Sequence, residues 1–452
     1  MAGWASLEEL ILMEVTQRRE EGCDTSGFPE KITACKSDPD KLMAVYRELC
    51  ALPIQADFPY REPNELEEIL ALSEQGKLKV ETLPQEILAD KMEGAWLGRC
   101  VGCALGKPLE WDPYVGGTKD AFGYVHIRRW LEGADAYPLR DYVPGHSQAE
   151  ADGLSVGWPD SQRENIRFME TDDDIRYLVL GLMMSERFGN DFTPDQVAWM
   201  WRNYLPADLC CTAERQAYVN CLNAEISDQK ARWEYIRTYL NPYREWIGAQ
   251  IRADHYGYAN AGDPLTAAKT AYQDAAFSHT KNGIYGSMFI AAVIAAAFVE
   301  SDITKCVEAG LSVIPTTSRL HQDIRTAIVL GKGAESQEDL FDALWQTFGH
   351  YNWVHTNNNA AAVAAVLVYA DGDFSKAVTA AVSCGWDTDC NGATVGSVMG
   401  AFCSAGKLPE HWTQPLHDTL YSFIPGFHPI SIQECANRSL AVWNRLHGNQ
   451  KV

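Results

Sequence analysis

The stretch CGWDTDCNGATVGSVMG, residues 384–400, combines a glycine repeat with two carboxylates. Glycine recurs at every fourth position of it, and the same spacing occurs in GAWLGRCVGCALGKPLE, residues 94–110. Residues i and i+4 share one face of a helix, so each series predicts a smooth ridge on which another helix can approach closely. Glycine weakens a helix by about 1 kcal/mol relative to alanine, which implies a packing reason for the repeat. The two series are Gly392, Gly396, Gly400 and Gly94, Gly98, Gly102, Gly106.

Helical patterns dominate the rest of the chain. Alanine-rich segments such as GSMFIAAVIAAAFVES and NAAAVAAVLVYADGD have helical periodicity, whereas alternating strands with hairpin turns are scarce. The sequence therefore predicts an all-α fold. We expect residues 1–85 to form a helical appendage and residues 86–452 to form the main domain. A region rich in Gly, Pro and Asp at about residues 111–167 predicts a loop-rich insertion in that domain.

Composition and charge exclude several classes of protein. The chain has 452 residues and a net charge of -23, and so acidic a surface repels nucleic acids. The N-terminus lacks the pattern of a signal peptide, and the longest apolar runs are too short to span a bilayer. An odd number of scattered cysteines, 13 in all, is typical of free thiols in a reducing compartment. We expect a cytoplasmic protein with neither nucleic-acid nor membrane partners.

Two groups of acidic residues each precede an apolar helical run. Asp387 and Asp389 stand before one glycine ridge, and TDDD, residues 171–174, precedes the helix IRYLVLGLMM. Either group can serve as a helix cap, because Thr and Asp suit the first turn. Together, two oxygen-rich loops suit one or two hard divalent cations, and neither loop supplies histidine or thiolate at zinc spacing. Glu110, at the end of the first ridge, is a further acidic candidate, although a lone Glu there is ordinarily solvated.

These segments, in this order, resemble the ADP-ribosylglycohydrolase family, which includes the dinitrogenase-reductase-activating glycohydrolase. GAWLGRCVGCALGKPLE resembles the opening motif of the family, and TDDD resembles its Thr-Asp-Asp metal motif. SHTKNGIYGSMFIAAVIAAAF resembles a histidine- and tyrosine-containing segment before an apolar helix. CGWDTDCNGATVGSVMGAFCSAGKLPEHW resembles the GGDTDT segment and the residues that follow it. The resemblance covers roughly residues 90–415.

The resemblance implies an all-α bundle around magnesium and hydrolysis of the bond between the ribose anomeric carbon of ADP-ribose and its leaving group. The implied cofactor is one or two Mg²⁺ ions, with Mn²⁺ as a substitute. The implied metal ligands are Thr171, Asp172, Asp173, Asp387 and Asp389. Carboxylates able to accept a proton from water are Glu110, Asp173 and Asp389. The substrate-binding candidates are His279, Tyr285, Tyr258 and Asn282.

The chain departs from the family pattern at two positions near the expected metal. Cys103 replaces the Asp of the GDALG motif, and Cys390 replaces the Thr that follows the second Asp of the DTDT segment. A thiol is a poor ligand for magnesium, so a second ion is in question. Cys100 and Cys103 form a C-x-x-C pair, which we interpret as structural because no further zinc ligands follow at suitable spacing.

The predicted function is metal-dependent hydrolysis of the ribosyl glycosidic bond in an ADP-ribosylated protein or a small ADP-ribosyl compound. Two alternatives remain open. The chain could hydrolyse a free nucleoside or another small ribosyl compound with the same metals, or it could be a non-catalytic ligand-binding relative. A metal-dependent prenyl-chain enzyme is excluded, because its D-D-x-x-D motif is interrupted here by Arg176 and Tyr177.

Overall fold

The computed structural model describes residues 5–74 and 81–448, and its regular structure is helical. Within these residues strand pairing is limited to isolated bridges, so the predicted all-α class is confirmed. The α-helices in chain order are α1 (Leu7–Glu20), α2 (Phe28–Ala34), α3 (Pro39–Cys50), α4 (Leu66–Ala71), α5 (Gln85–Gly106), α6 (Gly123–Gly133), α7 (Asp173–Phe188), α8 (Pro194–Tyr204), α9 (Thr212–Asn223), α10 (Gln229–Thr238), α11 (Asp254–Ala259), α12 (Pro264–Ala275), α13 (Lys281–Ala297), α14 (Ile303–Leu311), α15 (Arg319–Gly333), α16 (Gln337–Phe348), α17 (Thr356–Ala370), α18 (Phe374–Ser383), α19 (Thr388–Cys403), α20 (Glu410–Thr413) and α21 (Ile432–His447). Short 3-10 helices lie at Lys107–Leu109, Gln148–Asp152, Pro159–Ser161, Ala207–Leu209, Ile247–Arg252, Ala405–Lys407 and Gln414–Leu416.

The glycine ridges of α5 and α19 face each other at the centre of the fold. A methyl group built at Gly98 would lie 2.0 Å from the carbonyl oxygen of Gly396, and one built at Gly102 would lie 1.9 Å from that of Gly392. Such distances are far shorter than a van der Waals contact, and the atoms in the way belong to the backbone of the other helix, so they cannot rotate aside. The two helices therefore approach closely because neither has side chains at these positions, as the four-residue spacing predicts.

The register of this pair determines which helix ends meet. Gly94 lies against Gly400, whereas Gly106 lies against Thr388, so α5 and α19 are antiparallel. The Thr388 hydroxyl donates a 2.9 Å hydrogen bond to the carbonyl oxygen of Gly106. The last turn of α5 is thereby fixed beside the first turn of α19, and the residues that flank both turns come together.

Helices of small and branched apolar residues surround this pair. In α13 and α17 nearly every residue is buried, which explains why their sequences are apolar on all faces. The free thiols expected from the sequence are present, because none of the cysteines forms a disulfide. No helix in residues 5–74 and 81–448 has the length and apolarity needed to cross a bilayer.

The N-terminal helices α1–α3 enclose a small core of their own, which includes Ile11, Ile32 and Leu49. This unit is tied to the rest of the chain by buried ion pairs. The Arg244 guanidinium lies 2.8 Å from Glu14 and 3.0 Å from Glu21, both on or next to α1. The expected division of the chain near residue 85 stays a prediction.

The interval 111–167, expected to be loop-rich, holds α6 as well as irregular chain and two 3-10 turns. The inner face of α6 buries Ile127, Trp130 and Leu131. These residues have the i, i+3, i+4 spacing of a helix, but a single short apolar stripe between Gly- and Pro-rich segments gives a weak signal. The helix was therefore not predicted.

Candidate metal centre and active site

The loop that carries Asp387 is held in an unusual backbone conformation. Gly385 and Trp386 have φ angles of +85° and +59°, a left-handed region that a tryptophan seldom adopts. Stacking between the Trp386 and Trp345 rings, whose centroids lie 4.8 Å apart, holds the turn in place. The Trp345 indole also donates a 2.7 Å hydrogen bond to the carbonyl oxygen of Cys384. This turn directs Asp387 into the protein immediately before α19 begins.

The other acidic loop is fixed at the start of α7. Asp172 is the N-cap of α7, and its carboxylate accepts a 3.0 Å hydrogen bond from the backbone N–H of Asp174. Two residues further on, Asp174 accepts a 2.6 Å hydrogen bond from Arg99 of α5. A second nitrogen of Arg99 lies 2.9 Å from Asp254 of α11, so this buried arginine joins three helices. The capping interpretation of the loop is thus correct for Asp172, but it does not explain the burial of Asp174.

The fold brings the two acidic loops into one centre. One ligand atom from each of Cys103, Asp172, Asp174 and Asp389 lies within 4.8 Å of the others, and a second such group comprises Asp387, Asp389 and Cys390. Asp389 belongs to both groups. Three of the predicted metal ligands, Asp172, Asp387 and Asp389, therefore converge, and Thr171 and Asp173 stand in the same loop as Asp172.

The donor atoms of this centre fit a hard divalent cation. Four oxygens are buried without a hydrogen-bond partner: Asp174 Oδ2, Asp387 Oδ1, Asp389 Oδ1 and Asn391 Oδ1. Buried carboxylate oxygens are expensive to leave unpaired, and they are the ligands that Mg²⁺ and Mn²⁺ prefer. Within the described residues neither group contains a histidine, and each contains a single cysteine whose thiol pKa is raised well above its usual range by burial, so the set does not resemble a zinc site. The buried cluster could therefore hold a metal ion.

The carboxylates of the centre repel one another. Burial and the neighbouring charge of Asp172 raise the pKa of Asp389 to about 7. Burial and Asp389 raise the pKa of Asp387 well above its usual range. Glu110, just beyond the 3-10 turn Lys107–Leu109, also has its pKa raised well above the usual range, by burial and by the charges of Asp389 and Asp387. Added positive charge would relieve this repulsion.

Comparison with known proteins identifies the family of this chain. The family model of the ADP-ribosylglycohydrolases matches residues 84–446. The chain belongs to the ADP-ribosylglycohydrolase family. This membership indicates a glycosidase-type hydrolase that acts on ADP-ribose linkages. A solved structure titled "ADP-ribosylglycohydrolase-related protein complex" is 19% identical, covers 80% of this chain and 99% of its own, and has a TM-score of 0.45. No curated protein matches the sequence.

The glycohydrolase centre contains residues that sequence reasoning missed. Asn359, near the start of α17, accepts hydrogen bonds from the backbone N–H of Asp387 at 3.4 Å and from the side chain of Asn391 at 2.8 Å. Its own amide donates to the carbonyl oxygens of Trp353 and His355, each at 2.8 Å. Asn359 thus holds the second acidic loop in place. The run of three asparagines at residues 357–359, all buried, was the signal that could have indicated it.

The four predicted substrate-binding residues lie in other surroundings. Asn282 donates hydrogen bonds to Glu62 and Glu245, and the Tyr285 hydroxyl donates to the carbonyl oxygen of Pro63, so both anchor the N-terminal segment.

The other two are buried and have polar partners outside the acidic loops. His279 is buried, shares a 2.8 Å hydrogen bond with Ser278, and lies 3.9 Å from Glu214. The Tyr258 hydroxyl is hydrogen-bonded to Ser397 of α19 at 2.6 Å. The structure does not place these four side chains with the acidic loops, and their role toward substrate stays a prediction.

Competition between protons and metal provides a test of the centre. Carboxylates with raised pKa values bind extra protons in the folded state, and the stability this contributes is lost as pH rises from about 4 through about 7. Without metal, the glycohydrolase should therefore be less stable at pH 8 than at pH 6. We expect Mg²⁺ or Mn²⁺ to raise the melting temperature more at pH 8. Thermal unfolding in EDTA and in metal at both values measures this, and the Asp389→Asn protein should show a smaller difference. Equal metal effects at both pH values would contradict the shared site.

Proposed function

We propose that this glycohydrolase uses a divalent cation, Mg²⁺ or Mn²⁺, to hydrolyse the ribosyl glycosidic bond of an ADP-ribosylated protein or small ADP-ribosyl compound. The observation that carries the proposal is the convergence of two buried acidic loops with carboxylate oxygens that have no partner. A protein with only a structural use for these loops would leave several buried charges unpaired, at a high cost in folding free energy. In the proposal, Asp387 and Asp389 hold the cation. The resemblance adds Thr171, Asp172 and Asp173 as ligands.

A bound cation would supply positive charge that orients a ribose hydroxyl and a water molecule. The reaction then needs a base for that water. Glu110 is the best candidate, because it stands at the end of the 3-10 turn beside the centre, and the positive charge of a bound cation would lower the raised pKa of its carboxyl so that it can accept a proton. As the water oxygen bonds to the anomeric carbon, the carboxylate of Glu110 would take the proton of the water and the bond to the leaving group would break. Asp173 and Asp389 are poorer bases if they bind the cation.

Two exposed tryptophans bear on the substrate. Trp111 directly follows Glu110 and is 59% exposed, and Trp158, whose ring centroid lies 4.4 Å from the Lys107 ammonium, is 44% exposed. Exposed aromatic rings next to a polar centre suit a planar ring in the ligand. The adenine of ADP-ribose meets this description, and so does the base of a free nucleoside. This observation keeps hydrolysis of a small riboside as a second candidate function.

Product analysis on a panel of substrates separates these candidates. The panel should hold ADP-ribosylated peptides with different linkage residues, small ADP-ribosyl compounds and free nucleosides, each incubated with Mg²⁺ and examined by chromatography and mass spectrometry. Release of ADP-ribose supports the leading proposal. Release of free base and ribose supports the second. Turnover of no member of the panel, in protein that binds metal, would favour a non-catalytic relative.

Replacing Glu110 tests its role as base. The Glu110→Gln protein should lose roughly 10²- to 10⁴-fold in kcat, the usual contribution of a general base. Its melting temperature should stay close to wild type or rise, because the change removes a charge that repels Asp387 and Asp389. Steady-state kinetics and thermal unfolding measure the two effects. Glu335→Gln, at an exposed glutamate between α15 and α16, is the matched control. Full activity in Glu110→Gln would show that another group accepts the proton.

A further inference from the structure

A lysine ammonium lies inside the acidic centre. Lys107 is 1% exposed, and its Nζ donates hydrogen bonds to the Asp172 carboxylate at 2.6 Å and to the carbonyl oxygen of Thr171 at 2.7 Å. The Trp158 ring covers the same ammonium at 4.4 Å from its centroid. A lysine is almost never buried this deeply unless its charge is paired. Here the pairing is made by a carboxylate that the family resemblance assigns to a metal ion.

Other oxygens of this loop also accept hydrogen bonds from groups of the protein. The second oxygen of Asp172 accepts from the backbone N–H of Asp174, and one oxygen of Asp174 accepts from Arg99 at 2.6 Å. The Thr171 hydroxyl accepts a 2.9 Å hydrogen bond from Arg176. Lysine and two arginines thus pair with one oxygen each of Asp172, Thr171 and Asp174, whereas Oδ2 of Asp174 is buried without a partner.

The loop of residues 387–391 has the opposite character. Asp387 Oδ1, Asp389 Oδ1 and Asn391 Oδ1 are buried without hydrogen-bond partners. Among the described residues, no Lys, Arg or His side chain forms an ion pair with Asp387 or Asp389, whereas Asp172 and Asp174 each have one. The ion pairs of the centre therefore lie on the loop of residues 171–174, whereas three of its four unpartnered oxygens lie on the loop of residues 387–391.

We infer that Lys107 is a built-in cation for the loop of residues 171–174, so that the centre binds one divalent ion, on Asp387 and Asp389, rather than two. An ammonium and a metal ion cannot both bind the Asp172 oxygen that Lys107 contacts, because like charges at that distance repel strongly. Mg²⁺ commonly keeps several waters and needs only one or two carboxylates, which the loop of residues 387–391 supplies. The inference rests on the proposed metal centre and is independent of which riboside is hydrolysed.

Counting Mn²⁺ ions per chain tests the inference. Native mass spectrometry and calorimetric titration should give one Mn²⁺ for wild type and two for Lys107→Met, which frees the Asp172 oxygen that Lys107 contacts. Lys107→Arg keeps the charge and should stay at one. Lys376→Met is the matched control, since that exposed lysine also donates to a carbonyl oxygen and lies over a tyrosine ring. In EDTA the melting temperature of Lys107→Met should fall by several degrees and recover in Mn²⁺, and that of Lys107→Arg should not.

Several results would overturn the inference. Two Mn²⁺ ions in wild type would show that Lys107 excludes nothing, and one ion in a folded Lys107→Met protein would show that its charge is not what limits the count. If Lys107→Met does not fold, Asp172→Asn decides. The inference expects one ion with unchanged affinity, and a loss of about tenfold or more, as for a group that supports a metal, would contradict it. If the wild type binds no ion, the proposed metal centre itself is wrong. This result is therefore distinct from those that contradict only the inference about Lys107.

Discussion

The Gly98→Ala protein is expected to lose more than about 3 kcal/mol of stability, beyond the usual range for overpacking a core. The added methyl group would lie 2.0 Å from the carbonyl oxygen of Gly396, and both contacting groups are backbone, so no side chain can rotate away. Relief requires α5 and α19 to separate, which would disturb every contact along the pair. In an isolated helix the same change is stabilising by about 1 kcal/mol. A loss of stability would therefore show that α19 packs closely against Gly98. Denaturant unfolding monitored by circular dichroism measures it.

Gly333→Ala is the matched control for this prediction. Gly333 is the last residue of α15, and a methyl group built there would have no neighbour within 4 Å. The control should be neutral or slightly stabilised. A Gly98→Ala protein as stable as this control would contradict the close approach of the two ridges. Gly98→Leu, with its larger side chain, should yield little or no folded protein.

The Asp387→Asn protein is expected to lose its catalytic activity almost completely, by roughly 10³-fold or more, the equivalent of about 4 kcal/mol in transition-state stabilisation. The amide is neutral and cannot replace the negative charge that attracts a divalent cation. Calorimetric titration with Mn²⁺ should show a parallel loss of affinity. Thermal stability in EDTA should be unchanged or higher, since Asp387 and Asp389 repel each other in the absence of metal.

Asp57→Asn, at an exposed aspartate of the N-terminal segment, controls for the loss of one negative charge from an acidic protein. It should retain wild-type activity and metal affinity. If Asp387→Asn keeps normal turnover while binding no metal, the reaction does not depend on the proposed centre. If it keeps normal metal affinity, the ion binds elsewhere.

The sequence contained the features that organise the fold and the centre. Four-residue glycine spacing appears in two segments. Glu110 follows the first glycine ridge, and Asp387 and Asp389 precede the second. Because the ridges pack antiparallel, the end of the first ridge meets the start of the second, where Asp387 and Asp389 lie. Asp172 caps α7 and joins them through tertiary packing that the ridges do not predict. The all-α class followed from alanine-rich helical periodicity. The all-α class and the close packing of the two ridges were predicted correctly because spacing and local composition determine them directly.

Other parts depended on long-range pairing that a single sequence does not reveal. Lys107, Arg99 and Asn359 are distant in the chain from the residues they contact, and none of them was predicted to belong to the centre. A lysine in GKPLE gives no sign that it reaches Asp172, 65 residues later. Similarly, the segment with Asn282 and Tyr285 resembles a ligand-binding motif, yet its side chains contact Glu62 and Pro63. The partner of a polar side chain is decided by tertiary packing.

The most direct test of the central claim is the position of a metal ion in a crystal. Crystals grown with Mn²⁺ and measured for anomalous scattering should show a peak within coordination distance of the carboxylate oxygens of both Asp387 and Asp389, absent from crystals of the Asp387→Asn protein. No anomalous peak between these two residues at saturating Mn²⁺, with both carboxylates still buried and unpaired, would contradict the claim that the acidic loops form a metal centre.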